Sequence, residues 1–151
     1  MTRVLVVLLL IALSAGGVAV AARGDWTGTA ACGACHPKEL AAWQTTPHAN
    51  TRARFEGRPQ AVCLGCHGTG DAPAGPAIAV EVGCEACHGA GAAYAADDLM
   101  RDRPVALALG MVDLSRPVLR AALCTTCHAR RTKSVPFDPT VNPHPVTESP
   151  K

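Results

Sequence analysis

Four short segments dictate what this chain can become: Cys32, Cys35 and His36; Cys63, Cys66 and His67; Cys84, Cys87 and His88; Cys124, Cys127 and His128. In each, a Cys-x-x-Cys pair is followed at once by His, which is the attachment signal of a c-type haem. That chemistry requires the spacing. Two thiols must reach the two vinyl groups of one porphyrin and form thioethers, while the next imidazole meets the iron from the same side. With six His in 151 residues, all four pairs would be followed by His by chance about three times in a million. The pattern implies four covalently bound haems c that consume all eight cysteines.

Other uses of these cysteines fit less well. A zinc ribbon takes two Cys-x-x-Cys arms per four-sulfur tetrahedron, but gives no reason for a His after every arm. Eight cysteines in an exported chain also suit disulfide staples, yet clustered pairs make poor long-range staples. A thioredoxin-like motif would occur once, beside a strand-helix-strand pattern, and no such pattern is legible.

Arg3, the apolar run from Val4 to Leu13 and the small residues ending in Ala19, Val20 and Ala21 make residues 1–21 a signal peptide with an A-x-A cleavage site. Left uncleaved, Val4 to Ala22 is just long enough for a membrane anchor. Covalent haem attachment outside the bacterial inner membrane agrees with export, and the expected location is periplasmic or extracellular. The remaining chain holds two Phe, two Trp and one Tyr among many Ala, Gly and Pro, too few large side chains for a dry core of its own. Porphyrin faces packed against small residues would supply that core, so the haem-free chain is expected to be unfolded. The formal charge of +2 omits the haem propionates, and the holoprotein is expected to be acidic. No basic run with interleaved aromatics points to nucleic acid.

Successive motifs begin 31, 21 and 40 residues apart, too irregular for a solenoid. One domain, residues 22–131, is expected to wrap a haem cluster. Its fold class is mainly α with much irregular structure, a multihaem cytochrome c fold organised around four covalently bound haems. Pro37 to Gln44 reads as a helix with proline in its first turn. Gly68 to Pro76 reads as loop, and Asp97 to Met111 as helical apart from Pro104 and Gly110. Ser115 followed by Pro117 marks a helix start running through Leu119 and Leu123 into the fourth motif. Strands are expected to be few or absent. Residues 132–151, with five prolines, form an extended tail.

Each motif His is one iron ligand, and the sixth position separates electron carriage from chemistry. Only His48 and His144 lie outside the motifs, so at most two haems can be bis-His within one chain. His144, between Pro143 and Pro145, would pin the tail to the body. Met111, seventeen residues before His128, is a thioether candidate for the fourth haem, ahead of Met100.

The chain resembles the cytochrome c-554 family of periplasmic tetrahaem cytochromes. The matching residues are Cys32 to His36 with Pro37, Lys38, Glu39, Trp43 and the Pro47, His48, Ala49 triplet; Cys63 to Gly70; Val82 to Gly91; and Cys124 to His128 with Ser134, Phe137 and His144. The resemblance implies a mainly helical fold, haems in close pairs, typically one five-coordinate iron, and His48 and His144 as distal ligands to haems other than their nearest. On that basis His144 is assigned to haem 1 and His48 to haem 3. Tyr94 stands where family members often carry a further His, which removes one bis-His site.

The expected function is an exported carrier of single electrons between redox donor and acceptor proteins, without general acid or base. A small-molecule haem enzyme acting on nitric oxide, nitrite or hydroxylamine at a five-coordinate haem is the alternative class, motivated by the shortage of sixth ligands. A subunit of a haem filament or membrane redox complex, or a homo-oligomer in which neighbours donate ligands, is a third. Membrane contact is expected only through an uncleaved N-terminal segment.

Overall fold

A computed structural model describes residues 25–72, 75, 77–129 and 138. The expected signal peptide, residues 1–21, and nearly all of the expected 132–151 tail, with His144, lie outside the described residues. About half of the described chain is helical, in short pieces joined by irregular segments. This is compatible with the expected mainly α cytochrome c fold.

Helices α1 (Thr29–Cys35) and α2 (Pro37–Gln44) meet at His36, which closes one and opens the other. Pro37 starts α2 as the sequence predicts, because its missing N–H costs nothing in a first turn. The two helices approach closely at Gly33, where a Cβ would collide with the Leu40 side chain. Beyond α2 the chain turns through residues 45–50 into a single 3₁₀ turn, Thr51–Arg54. Helix α3 (Ala61–His67) follows and carries the second motif.

The segment expected to be loop after the second motif contains a strand. β1 (Thr69–Gly70) pairs antiparallel with β2 (Ala77–Ala79), Thr69 opposite Ala79 and Gly70 opposite Ala77. Side-chain bonding that local composition does not reveal holds this ribbon. The buried Thr69 hydroxyl donates to Glu81 O at 2.7 Å and accepts from Gly83 N–H at 2.8 Å, fixing the entry to helix α4 (Cys84–His88).

The predicted helix over 97–111 is divided into α5 (Asp97–Arg101) and α6 (Arg103–Ala108). Asp102 breaks it by leaving helical geometry and accepting a hydrogen bond from Val105 N–H at 3.2 Å, so it caps the second piece. Pro104 sits in the first turn of α6, where it does no harm. Helix α7 (Pro117–His128) begins at Pro117 and runs to the fourth motif His as expected, but its cap position is Arg116. Ser115 bonds Asp113 instead, hydroxyl to Oδ1 at 2.6 Å.

Among the described residues the buried apolar side chains are Tyr94 and Ala106 alone, with Thr51, Thr69 and Glu85 as buried polar ones. Val62, Ile78, Leu109, Val112, Val118 and Leu119 stand exposed. An ordinary domain of this size would bury such aliphatics against one another.

Candidate haem-binding site

All four motifs are built the same way. Helices α3, α4 and α7 each end on the motif His, and α1 ends on Cys35, one residue before His36. Residues i, i+3 and i+4 of a helix share a face, so each motif presents two thiols and an imidazole in one direction. The helix C-terminal position adds a reason for short elements: the chain must turn away where the ligand ends. After the third motif it does so at Gly89, whose φ of 84° suits glycine and whose Cβ would lie 2.6 Å from Gly110 O.

All eight cysteines are free thiols. Among the described residues no three His, Cys, Asp or Glu side chains converge as a metal cage. The motifs do adjoin one another in a definite order. The Cys84 thiol bonds Cys32, drawing Cys32 down to about 7 against the effect of burial and driving Cys84 upward. Burial chiefly, with Cys124 and Cys127 nearby, pushes Cys87 up to about 11. Cys127 Sγ lies 3.9 Å from Gly65 O. The first motif therefore adjoins the third, the third the fourth, and the fourth the second.

Several residues that the sequence did not mark as functional hold this arrangement. Glu85, within the third motif and 2% exposed, accepts four hydrogen bonds: from Thr27 N–H at 2.9 Å, Thr27 hydroxyl at 3.0 Å and Gly91 N–H at 2.6 Å on Oε1, and from Gly28 N–H at 2.7 Å on Oε2. It ties the strand leading into α1 to the turn after α4. Tyr94, 4% exposed, places its hydroxyl 2.9 Å from both His88 O and Gly89 O. This phenol secures the end of the third motif. Glu85 falls in the segment Val82 to Gly91 that carries the resemblance, but its bonding partners lie far off in sequence.

His48 is half-buried, and its ring lies beside that of His128 with centroids 6.1 Å apart. Burial first, then His128 and His67, lowers its pKa. Val82 N–H donates to His48 O at 3.0 Å, and Trp43 Nε1 donates to Val82 O at 2.9 Å. The Thr51 hydroxyl is 3.1 Å from both His67 O and Val80 O. The His48 turn is thus braced against the second motif and the segment before the third. Met111 is half-buried after α6. Its N–H donates to Ala106 O, and the next residue, Val112, donates to His88 O at 2.9 Å, which ties this backbone to the third motif.

These features suit covalent haem. Thiols and imidazole are presented together, aliphatics stand outward, and small residues line the helix contacts. A cleft of about 220 Å³ beside the second motif is lined by Arg52, Arg58, Leu64 and Ile78, which combines apolar walls with guanidiniums able to pair carboxylates such as propionates. Residues 31–89 match the family model described as cytochrome c554 and c-prime. Over that stretch the chain is similar to the cytochrome c554 family. The match covers the first three motifs, His48, the β ribbon and Glu85, and it supports covalent haem c and haem electron transfer in general. No curated protein and no solved structure gives a significant match. Among the described residues no helix is long and apolar enough to cross a membrane.

Proposed function

We propose that this chain is an exported tetrahaem cytochrome, akin to the cytochrome c554 family, carrying single electrons between a donor and an acceptor protein. The observation that carries the reading is the repeated presentation of two thiols and an imidazole at four helix ends that adjoin one another, in a chain whose described residues bury only two apolar side chains. Cys32 and Cys35, Cys63 and Cys66, Cys84 and Cys87, and Cys124 and Cys127 hold the porphyrins covalently; His36, His67, His88 and His128 are the first axial ligands. Bound haem supplies a reversible one-electron couple whose potential follows axial ligation, burial and nearby charge. The protein's part is to prevent loss of the group on cycling, to hold each imidazole in place, and to bring the four attachment points together. Partners would dock weakly, as electron-transfer proteins commonly do.

Mass spectrometry of purified holoprotein tests this directly. The expected mass is the polypeptide plus four haems, and a pyridine haemochrome count of four per chain should agree. Spectra should cycle reversibly between ferric and ferrous forms. A mass equal to the bare polypeptide ends the reading.

A further inference from the structure

We infer that residues 52–58 form the docking surface for an acidic one-electron redox protein, set against the second haem motif. This rests on the tetrahaem reading above and deepens it by naming a partner surface.

The run Arg52, Ala53, Arg54, Phe55, Glu56, Gly57, Arg58 holds three of the eight Lys and Arg residues between positions 25 and 129. All three guanidiniums are exposed, and among the described residues none of them is ion-paired. Arg101 and Arg103, by contrast, meet Asp97 and Asp113. Exposed guanidiniums without a partner can fork onto the carboxylates of an arriving protein, and Arg is enriched where proteins meet. The loop is also held in place. The buried Thr51 ties its first turn to His67 O and Val80 O, and the buried Pro59 closes its far end.

The second motif lies directly behind this charge. Phe55 sets its ring edge-on to His67, with centroids 5.4 Å apart and planes at 89°. Arg52 and Arg58 share the cleft of about 220 Å³ with Leu64, which stands between Cys63 and Cys66, and with the exposed Ile78. Propionates hang from the porphyrin edge opposite the thioethers. Guanidiniums beside a Cys-x-x-Cys loop therefore stand nearer an incoming protein than the acids of the haem held there. An anionic membrane would also attract the loop, but the loop offers no large aliphatic to insert, and its one aromatic is turned onto His67. A small charged patch with an apolar cleft suits a weak, transient partner. In the docked pair one electron passes from the partner's reduced centre to the ferric iron held by His67, which becomes ferrous; no bond forms or breaks.

The test mixes oxidised holoprotein with reduced plant-type ferredoxin, an acidic one-electron donor of low potential, in a stopped-flow instrument. The second-order rate constant should fall as salt rises. A triple variant, Arg52→Gln with Arg54→Gln and Arg58→Gln, should react about tenfold more slowly at low salt and converge with wild type at high salt. A control that removes the same charge elsewhere, Lys38→Gln with Arg101→Gln and Arg116→Gln, should stay within about twofold of wild type. Haem count and midpoint potentials should match wild type in both. Amide signals that shift on adding oxidised ferredoxin should cluster in residues 51–58 and 77–79. An unchanged rate in the first triple variant overturns the docking surface, as does an equal loss in both, which would reduce the effect to net charge. Shifted midpoint potentials or lost haem in the first variant assign its guanidiniums to propionates and overturn it too. So does binding to phosphatidylglycerol vesicles that this variant abolishes while its ferredoxin rate stands. A wild-type haem count below four overturns the tetrahaem reading instead, so the two failures are distinguishable.

Discussion

Glu85 concentrates more long-range bonding on one side chain than any other residue described above. Its carboxylate takes three main-chain and side-chain donors from the entry strand and one from Gly91. Charge-assisted bonds of this kind contribute more than neutral ones, and a buried donor left without its acceptor is costly. Glu85→Gln should therefore lower holoprotein stability by about 2 kcal/mol in guanidinium unfolding, with haem content unchanged. Tyr94 makes a pH prediction. Burial, the largest cause, raises its pKa from 10.0 to about 12, so the folded state favours the neutral phenol more than the unfolded chain does. That contribution is complete below about pH 10 and is lost as pH rises through about 12. Tyr94→Phe should flatten the fall in unfolding midpoint over that alkaline window, while a curve with the same slope as wild type would contradict it. At this scale the motif residues stand out in the sequence, because their spacing is the one that haem attachment would need. The sequence could not reveal Glu85 or Tyr94 as braces, because their partners are set by how distant segments meet.

At the scale of elements, the β1–β2 ribbon hangs on Thr69. Thr69→Val keeps the shape but removes an acceptor for Gly83 N–H and a donor for Glu81 O. Leaving Gly83 N–H buried and unpaired should cost about 2 kcal/mol, read as a lowered thermal midpoint together with faster amide exchange in residues 77–83. Helix α2 was legible to the residue, because proline fixes its start and its sequence is strong in helix formers. The same holds for α7, which begins at Pro117. The break at Asp102 was legible only through Pro104, since a capping side chain is recognised only once the geometry is known. The ribbon was hidden for a related reason: glycine and proline at 68–76 read as loop, and the bonds that make two short strands worthwhile come from Thr69 reaching beyond β2.

For the whole molecule, the scarcity of aromatic residues foretold the weak side-chain interior, and Tyr94 and Ala106 are its described apolar members. On the proposed reading, stability then comes from the bound haems. Haem-free chain, prepared by expression without the attachment machinery, should lack the helical circular dichroism of the holoprotein; a native-like helical spectrum would contradict this. The adjacency of motifs, first to third to fourth to second, was beyond the reach of the sequence because 35 to 56 residues lie between the motifs that adjoin.

The turn-and-brace arrangement around His48 has a biosynthetic corollary. On the proposed reading a nascent polypeptide gains its interior only when tetrapyrrole arrives, so maturation and protection from proteases become a single event. Cells short of haem would clear the unfinished product quickly, and the amount of this protein would report on cofactor supply as much as on transcription.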